Sequence, residues 1–182
     1  MEELGRMTTE SFQGAQKLAV IIVLDDVRSM SNVGSVFRSA DAFAAEAIYL
    51  CGLTPQPPHR DIHKTALGAT ETIPWKHFQT TREAITELQQ MGYEIVAIEQ
   101  THGSISLEQF QPQAEKKYAI VFGHEVFGVQ DEVLNLSNLA LEIPQAGTKH
   151  SLNIAVSAGI ILWKFAEPLF LKSPGTSYIR NT

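Results

Sequence analysis

The sequence predicts an α/β domain, a mostly parallel sheet covered by helices on both faces. Apolar, β-branched runs recur at 18–27, 93–100 and 118–125, without the polar alternation of a half-wetted strand. Segments with helical spacing lie between them, at 31–42 and 81–91. No repeat, low-complexity stretch or long linker divides the 182 residues, so residues 1–182 are read as one domain, which buries roughly 70% of its unfolded surface.

The elements follow in order. Residues 18–27 (LAVIIVLDDV) predict a first strand buried on both faces. Ser31 or Asn32 is expected to cap a helix through VGSVFRSADAFA. A second strand is placed at about 46–53, and the prolines of TPQPPHR make the next segment a loop. A short helix at 61–68 and an irregular strand at 71–78 come next. The amphipathic helix at 81–91 ends on Gly92. Strands at 93–100 and 118–125, a helix at 130–137, a short strand at 139–144 and a long helix at 151–165 complete the series. Parallel sheets bind ligands beyond the carboxyl ends of their strands. The unusual residues gather there: Asp25, Asp26 and Arg28; Glu99 and Gln100; Gly123, His124 and Glu125; and the stretch 144–153.

Composition narrows the class. An apolar content of 44% excludes a disordered chain, and no 18-residue apolar run suggests a membrane span. The opening MEELGRMTTESF lacks a basic region followed by an apolar one, so no secretory signal is read there. Cys51 is the lone cysteine, which rules out an internal disulfide framework and a cysteine-based zinc site. A reduced, cytoplasmic protein is expected. The net charge of −6 argues against a nucleic-acid partner at the level of the whole chain. A local basic patch can still bind phosphate, because charges beyond about 10 Å are screened at ordinary salt.

Neither GxGxxG after the first strand, nor GxxxxGK[ST], nor GxSxG occurs. His59 and His63 have i,i+4 spacing but no HExxH context, and read as solvated loop with no metal expected. Three segments stand out. In SNVGSVFRSADA (31–42), Arg38 lies amid Val36, Phe37, Ala40 and Phe43. It either snorkels to water from an ordinary capped helix or waits for an anion. In VFGHEVFGV (121–129), a glycine at a strand end and a following carboxylate suit either a plain βα turn or a close ligand approach. In IPQAGTKHSLNIAVSAGIILW (143–163), Ser151 and Asn153 are caps or site residues. The helix after them is apolar nearly all round, which suggests a partner subunit over its outer face.

Together these segments closely resemble the motifs of the SpoU/TrmH family of RNA ribose 2′-O-methyltransferases, within the SPOUT superfamily. The first motif, NxGxxxRxA, is met by Asn32, Gly34, Arg38 and Ala40. The second, GxExxG, is met by Gly123, Glu125 and Gly128. The third is met by Ile143, Pro144, Gly147, Ser151, Leu152, Asn153, Ala158 and Gly159, and KTALGATETIPW (64–75) resembles the segment between the first two. The likeness spans about 18–165, the expected core, with short extensions on either side.

The resemblance implies a C-terminal deep trefoil knot, against the general rule on threaded chains. It implies S-adenosylmethionine as cofactor, with Gly123, Gly128, Ile143 and Leu152 contacting it and Glu99 and Gln100 along the same pocket. It implies methyl transfer to a ribose 2′-hydroxyl of structured RNA, tRNA before rRNA, with Arg38 central and Asn32, Glu125, Ser151 and Asn153 around it. Since a guanidinium pKa lies above about 12, Arg38 is better suited to fixing a phosphate and polarising the hydroxyl than to acting as a free base. Arg28, Arg60, Lys64, Lys149 and His150 are the expected RNA contacts. A homodimer through the first-motif helix and the C-terminal helix is expected too. Methylation of an RNA base by the same fold, or a catalytically silent knotted module for RNA binding or dimerisation, are the alternatives.

Overall fold

The computed structural model describes residues 14–15, 17–148 and 151–172, with side chains to residue 168. Through these run β1 (Leu18–Asp25), α1 (Met30–Ala42), β2 (Ala45–Cys51), α2 (Arg60–Ala66), α3 (Ala69–Thr72) and β3 (Trp75–Phe78). Then come α4 (Thr81–Gln90), β4 (Tyr93–Ile98), β5 (Ile105–Ser106), β6 (Lys117–Phe122), α5 (Asp131–Leu136), β7 (Leu139–Glu142) and α6 (Ile154–Lys172). All seven strands join one sheet in the order β3-β2-β1-β6-β4-β7-β5. Every pairing is parallel.

The continuous apolar run of β1 follows from its central place, where Ile22 pairs with Ile48 of β2 on one side and Ile120 of β6 on the other. Its residues alternate between two cores. Ile22 and Leu24 join Phe37, Ile62, Ile161 and Phe165 beneath α1, α2 and α6. Ile21 and Val23 join Ile85, Leu88 and Val133 beneath α4 and α5. The expected two-faced sheet is therefore present. Gly34 permits one close approach, since a Cβ there would lie 2.1 Å from the Thr65 hydroxyl of α2.

Strand order reverses beside β1. β2 and β3 extend to one side, while β6 is inserted between β1 and the earlier strand β4. Such a switch point leaves a crevice at the carboxyl ends of the strands.

Several boundaries move. The cap of α1 is Ser29, not Ser31 or Asn32: the Ser29 hydroxyl accepts the Asn32 N–H at 3.2 Å. The final helix begins at Ile154, and Asn153 caps it by accepting the Ala155 N–H at 2.9 Å. α3 and β5, of four and two residues, are too short to leave a periodic signal. His59 is the cap of α2, its ring accepting the Asp61 N–H, so the His59–His63 pair sits at a helix start rather than in loop. Among the described residues, no helix is long and apolar enough to cross a membrane.

Asp25 and Asp26, at the end of β1, tie the fold together. Asp26, in the left-handed region, accepts the Leu53 N–H at 2.8 Å and the Gln130 amide at 3.3 Å. Asp25 is buried, accepts the Thr81 hydroxyl through one oxygen and leaves the other without a partner. Burial pushes its carboxyl above the ordinary range, and Asp26 and Glu132 push the same way against Thr81 and His124. A raised carboxylate pKa means the folded state holds the proton more tightly, so stability falls as pH rises from the unfolded value through the folded one. Asp25→Asn is therefore expected to match or exceed the parent in denaturant midpoint at pH 7. That advantage should vanish toward pH 4; a large loss of midpoint at pH 7 would refute the assignment.

Candidate active site

A cleft of about 720 Å³ opens at the carboxyl ends of β4, β6 and β7, beside the start of α1. It brings together residues far apart in sequence. Glu99 and Gln100 reach it from β4, Gly123, Glu125 and Gly128 from the loop after β6, and Ile143 from β7. Ser151, Leu152 and Asn153 line it from the approach to α6, and Asn32 from the first turn of α1.

The loop after β6 is fixed at both ends. His124 and Gly128 exchange backbone hydrogen bonds of 3.0 and 2.8 Å. A Cβ on Gly123 would lie 2.2 Å from the Gly128 carbonyl, so what approaches Gly123 is the loop's own return. Gly128 has φ +69°, and a Cβ there would stand 2.2 Å from a Glu99 oxygen. That same Glu99 oxygen accepts the Val129 N–H at 2.9 Å, binding the loop to the end of β4. Gly128→Ala is expected to cost more than about 1 kcal/mol through strain and displacement of Glu99. Thermal unfolding checks this; an unchanged midpoint would mean the loop tolerates a different path.

Glu125 faces the N-terminus of α1. Its carboxylate accepts the Arg28 N–H at 3.1 Å, the Ser29 N–H at 3.0 Å and the Asn32 side-chain amide at 3.2 Å. Partial burial opposes ionisation, but the backbone N–H groups of Arg28, Glu125 and Ser29, with the Asn32 amide, hold the carboxyl below its ordinary value. Asn32 in turn accepts the Asn153 amide at 3.1 Å. One hydrogen-bonded line, Asn153 to Asn32 to Glu125, thus joins three segments of chain. Asn153 both caps α6 and lines the cleft.

The electrostatics are one-sided. Glu99, Glu125, Asp131 and Glu142 line the cleft, and no Lys or Arg does so among the described residues. The floor is apolar, from Ile98, Phe122, Leu141 and Ile154. An acidic rim over an apolar, backbone-edged floor fits a cationic ligand carrying a flat ring, which is the chemistry of S-adenosylmethionine.

Arg38 is not brought into this cleft within one chain. It lies exposed on α1, six positions beyond Asn32 and off that residue's helical face. No hydrogen bond or ion pair to it is found among the described residues. Arg28, Arg60 and Lys64 are also exposed, whereas Lys149 and His150 lie outside the described residues. The strand-end reading of His124 matches its place in the lining, whereas Asp131, Glu142, Val126 and Phe127 were missed. Two large apolar residues inside a polar turn, GHEVFG, were the visible signal for the last pair.

Fold and site together define an α/β ligand-binding protein whose polar residues converge from separate motifs at a sheet's switch point. The model of the SpoU rRNA methylase family matches residues 19–163. The chain belongs to that family. It is 31% identical over 156 residues to the 23S rRNA (guanosine-2′-O-)-methyltransferase RlmB of Nitrosomonas europaea, covering 84% of this chain and 57% of that protein. It is 27% identical to the tRNA (guanosine(18)-2′-O)-methyltransferase of Borreliella burgdorferi, covering 87% of this chain and 70% of that one. An AdoMet-bound rRNA methyltransferase from Sinorhizobium meliloti superposes with a TM-score of 0.78 at 28% identity, covering 85% of this chain and 61% of that one. The chain thus spans little more than half the length of the Nitrosomonas relative.

Proposed function

We propose that this protein transfers a methyl group from S-adenosylmethionine to a ribose 2′-hydroxyl of a structured RNA, either tRNA or rRNA. The observation that carries the reading is the line from Asn153 through Asn32 to Glu125 at the mouth of an acidic, apolar-floored cleft. When bound, S-adenosylmethionine supplies an electrophilic methyl group on its sulfonium. Ile143 and Leu152 offer apolar contact to its purine, while the strand ends at Gly123 and Gln100 offer backbone groups to its edge.

Asn32, fixed on both sides, orients the hydroxyl for in-line attack. Ser151, exposed at the cleft, is a further donor there. Glu125 is unsuited to proton removal, because three donors already hold its carboxylate. Arg38 fixes the neighbouring phosphate and polarises the hydroxyl, and that phosphate takes the proton. Arg28, Arg60 and Lys64 supply further phosphate contacts, joined by Lys149 and His150.

The active form is a homodimer. α1 and α6 pack together, and Val156, Ile160 and Trp163 remain 51, 37 and 53% exposed on α6, an apolar strip suited to a second copy. If Arg38 acts at a cleft, it acts at the partner's. We also propose the C-terminal trefoil knot, in keeping with the family to which the chain belongs. The unit is read as one domain working in the cytoplasm.

Incubation with methyl-labelled S-adenosylmethionine and bulk tRNA or rRNA, followed by nucleoside analysis, tests the reading. A 2′-O-methylated nucleoside is expected, and its polymer of origin separates tRNA from rRNA. Label on a base would favour the base-methylating alternative, and no transfer the silent module.

A further inference from the structure

Phe127 is the most exposed large apolar side chain among the described residues, at 80%, with Val126 beside it at 78%. Such a pair at a loop tip would ordinarily be left free to fold down onto the surface. Here the backbone that carries it is fixed. The Val126 and Phe127 N–H groups donate to the His124 ring at 3.0 and 3.4 Å. The paired backbones of His124 and Gly128 close the loop beneath them, and Glu99 and α1 anchor its flanks through Val129 and Glu125. The Phe127 ring lies against the His124 imidazole, with centroids 4.8 Å apart and planes 36° from parallel. Folding gains nothing from presenting this surface to water, and both side chains line the cleft, where a flat ligand can reach them.

Position selects that ligand. Phe127 is two residues from Glu125, so their Cα atoms are within about 7 Å, and both line the same cleft as Asn32. A nucleoside whose 2′-hydroxyl sits at Asn32 projects its base over about the same distance. Neither Phe127 nor Val126 offers a side-chain donor or acceptor, so the surface grips a flat base without reading its edge. A base splayed out of single-stranded RNA onto an aromatic face is the common mode of capture for unpaired nucleotides.

We propose that Phe127, backed by His124, is the platform on which the base of the nucleotide to be methylated stacks, leaving its ribose facing Asn32. This rests on the ribose site assigned above, and it adds a positioning surface that tolerates different bases. Which base is modified must then be decided elsewhere.

The test uses short single-stranded oligoribonucleotides carrying 2-aminopurine, whose fluorescence falls on stacking, with the wild-type protein and the variants Phe127→Ala, Phe127→Leu and Phe127→Trp. Quenching on wild-type protein is expected, lost in the Ala and Leu variants and kept by Trp. RNA affinity should weaken about tenfold for Phe127→Ala, with S-adenosylmethionine affinity and molar mass in solution unchanged. No quenching by wild-type protein, or equal quenching by Phe127→Ala, overturns the platform. So does a matching loss of S-adenosylmethionine affinity, which would place the ring over the cofactor, or a change of molar mass, which would place it in an interface. Quenching that follows Phe127 without any methyl transfer would leave the platform standing and refute the ribose methylation reading instead.

Discussion

Glu125→Ala is expected to lower methyl transfer about a hundredfold or more and to loosen the start of α1. The reason is orientation: Asn32 is held between Asn153 and Glu125, and removal of the carboxylate frees the amide to which the proposed mechanism gives the aiming of the hydroxyl. Two backbone N–H groups, from Arg28 and Ser29, lose their acceptor as well. Glu125→Gln restores the shape but turns an amide N–H₂ toward these donors, so it should recover little. The effect carries a pH signature. Because the folded-state pKa of Glu125 is depressed, its stabilisation is complete above the unfolded value and is lost as pH falls through the folded one. Unfolding midpoints of parent and Glu125→Gln should differ at pH 7 and converge below about pH 4. Parallel midpoints across that range would show that the carboxylate's charge is not what these donors hold.

Arg38→Ala is the second large effect, and it separates catalysis from folding. Arg38 is exposed and lies on a helix face away from its own cleft. Its removal should leave the unfolding midpoint within about 0.5 kcal/mol of the parent and S-adenosylmethionine affinity intact, while methyl transfer is lost. Arg38→Lys should not rescue, because an ammonium cannot grip a phosphate through two parallel N–H groups. The dimer reading adds a sharper consequence. Mixing Arg38→Ala chains with Glu125→Ala chains should restore transfer to about a quarter of the parent level, since half the dimers are hybrids with one complete site. Mixing without recovery would leave Arg38 acting within its own chain or not at all.

The sheet was legible in the sequence because its strands are buried on both faces and leave continuous apolar runs, as Leu18–Asp25 does. The convergence of Gly123, Ile143, Leu152 and Asn32 on one cleft was legible only through the resemblance of their motifs to the SpoU/TrmH family. Periodicity carries no information on which strand lies beside which. Insertion of β6 between β1 and β4 depends on long-range pairing that no local pattern encodes. Asp25 and Asp26 stood out in the sequence as polar residues at a strand end, where parallel sheets bind ligands. Their partners, Thr81, Leu53 and Gln130, are 27 to 104 residues away and could not be read. Gly123 matched a motif, and the structure adds a steric reason for a glycine there, the return of its own loop. Phe127 carried no assignment from the sequence, and its exposure became evident only in the structure.

Titration calorimetry with S-adenosylmethionine addresses the cleft itself most directly, using the wild-type chain and Leu152→Glu, a change at a half-exposed position that the fold should tolerate. One saturable site per chain, with affinity sharply reduced in the variant, is the predicted result. Absence of saturable binding, or equal affinity in both proteins, would mean that the loops after β4, β6 and β7 do not hold the methyl donor.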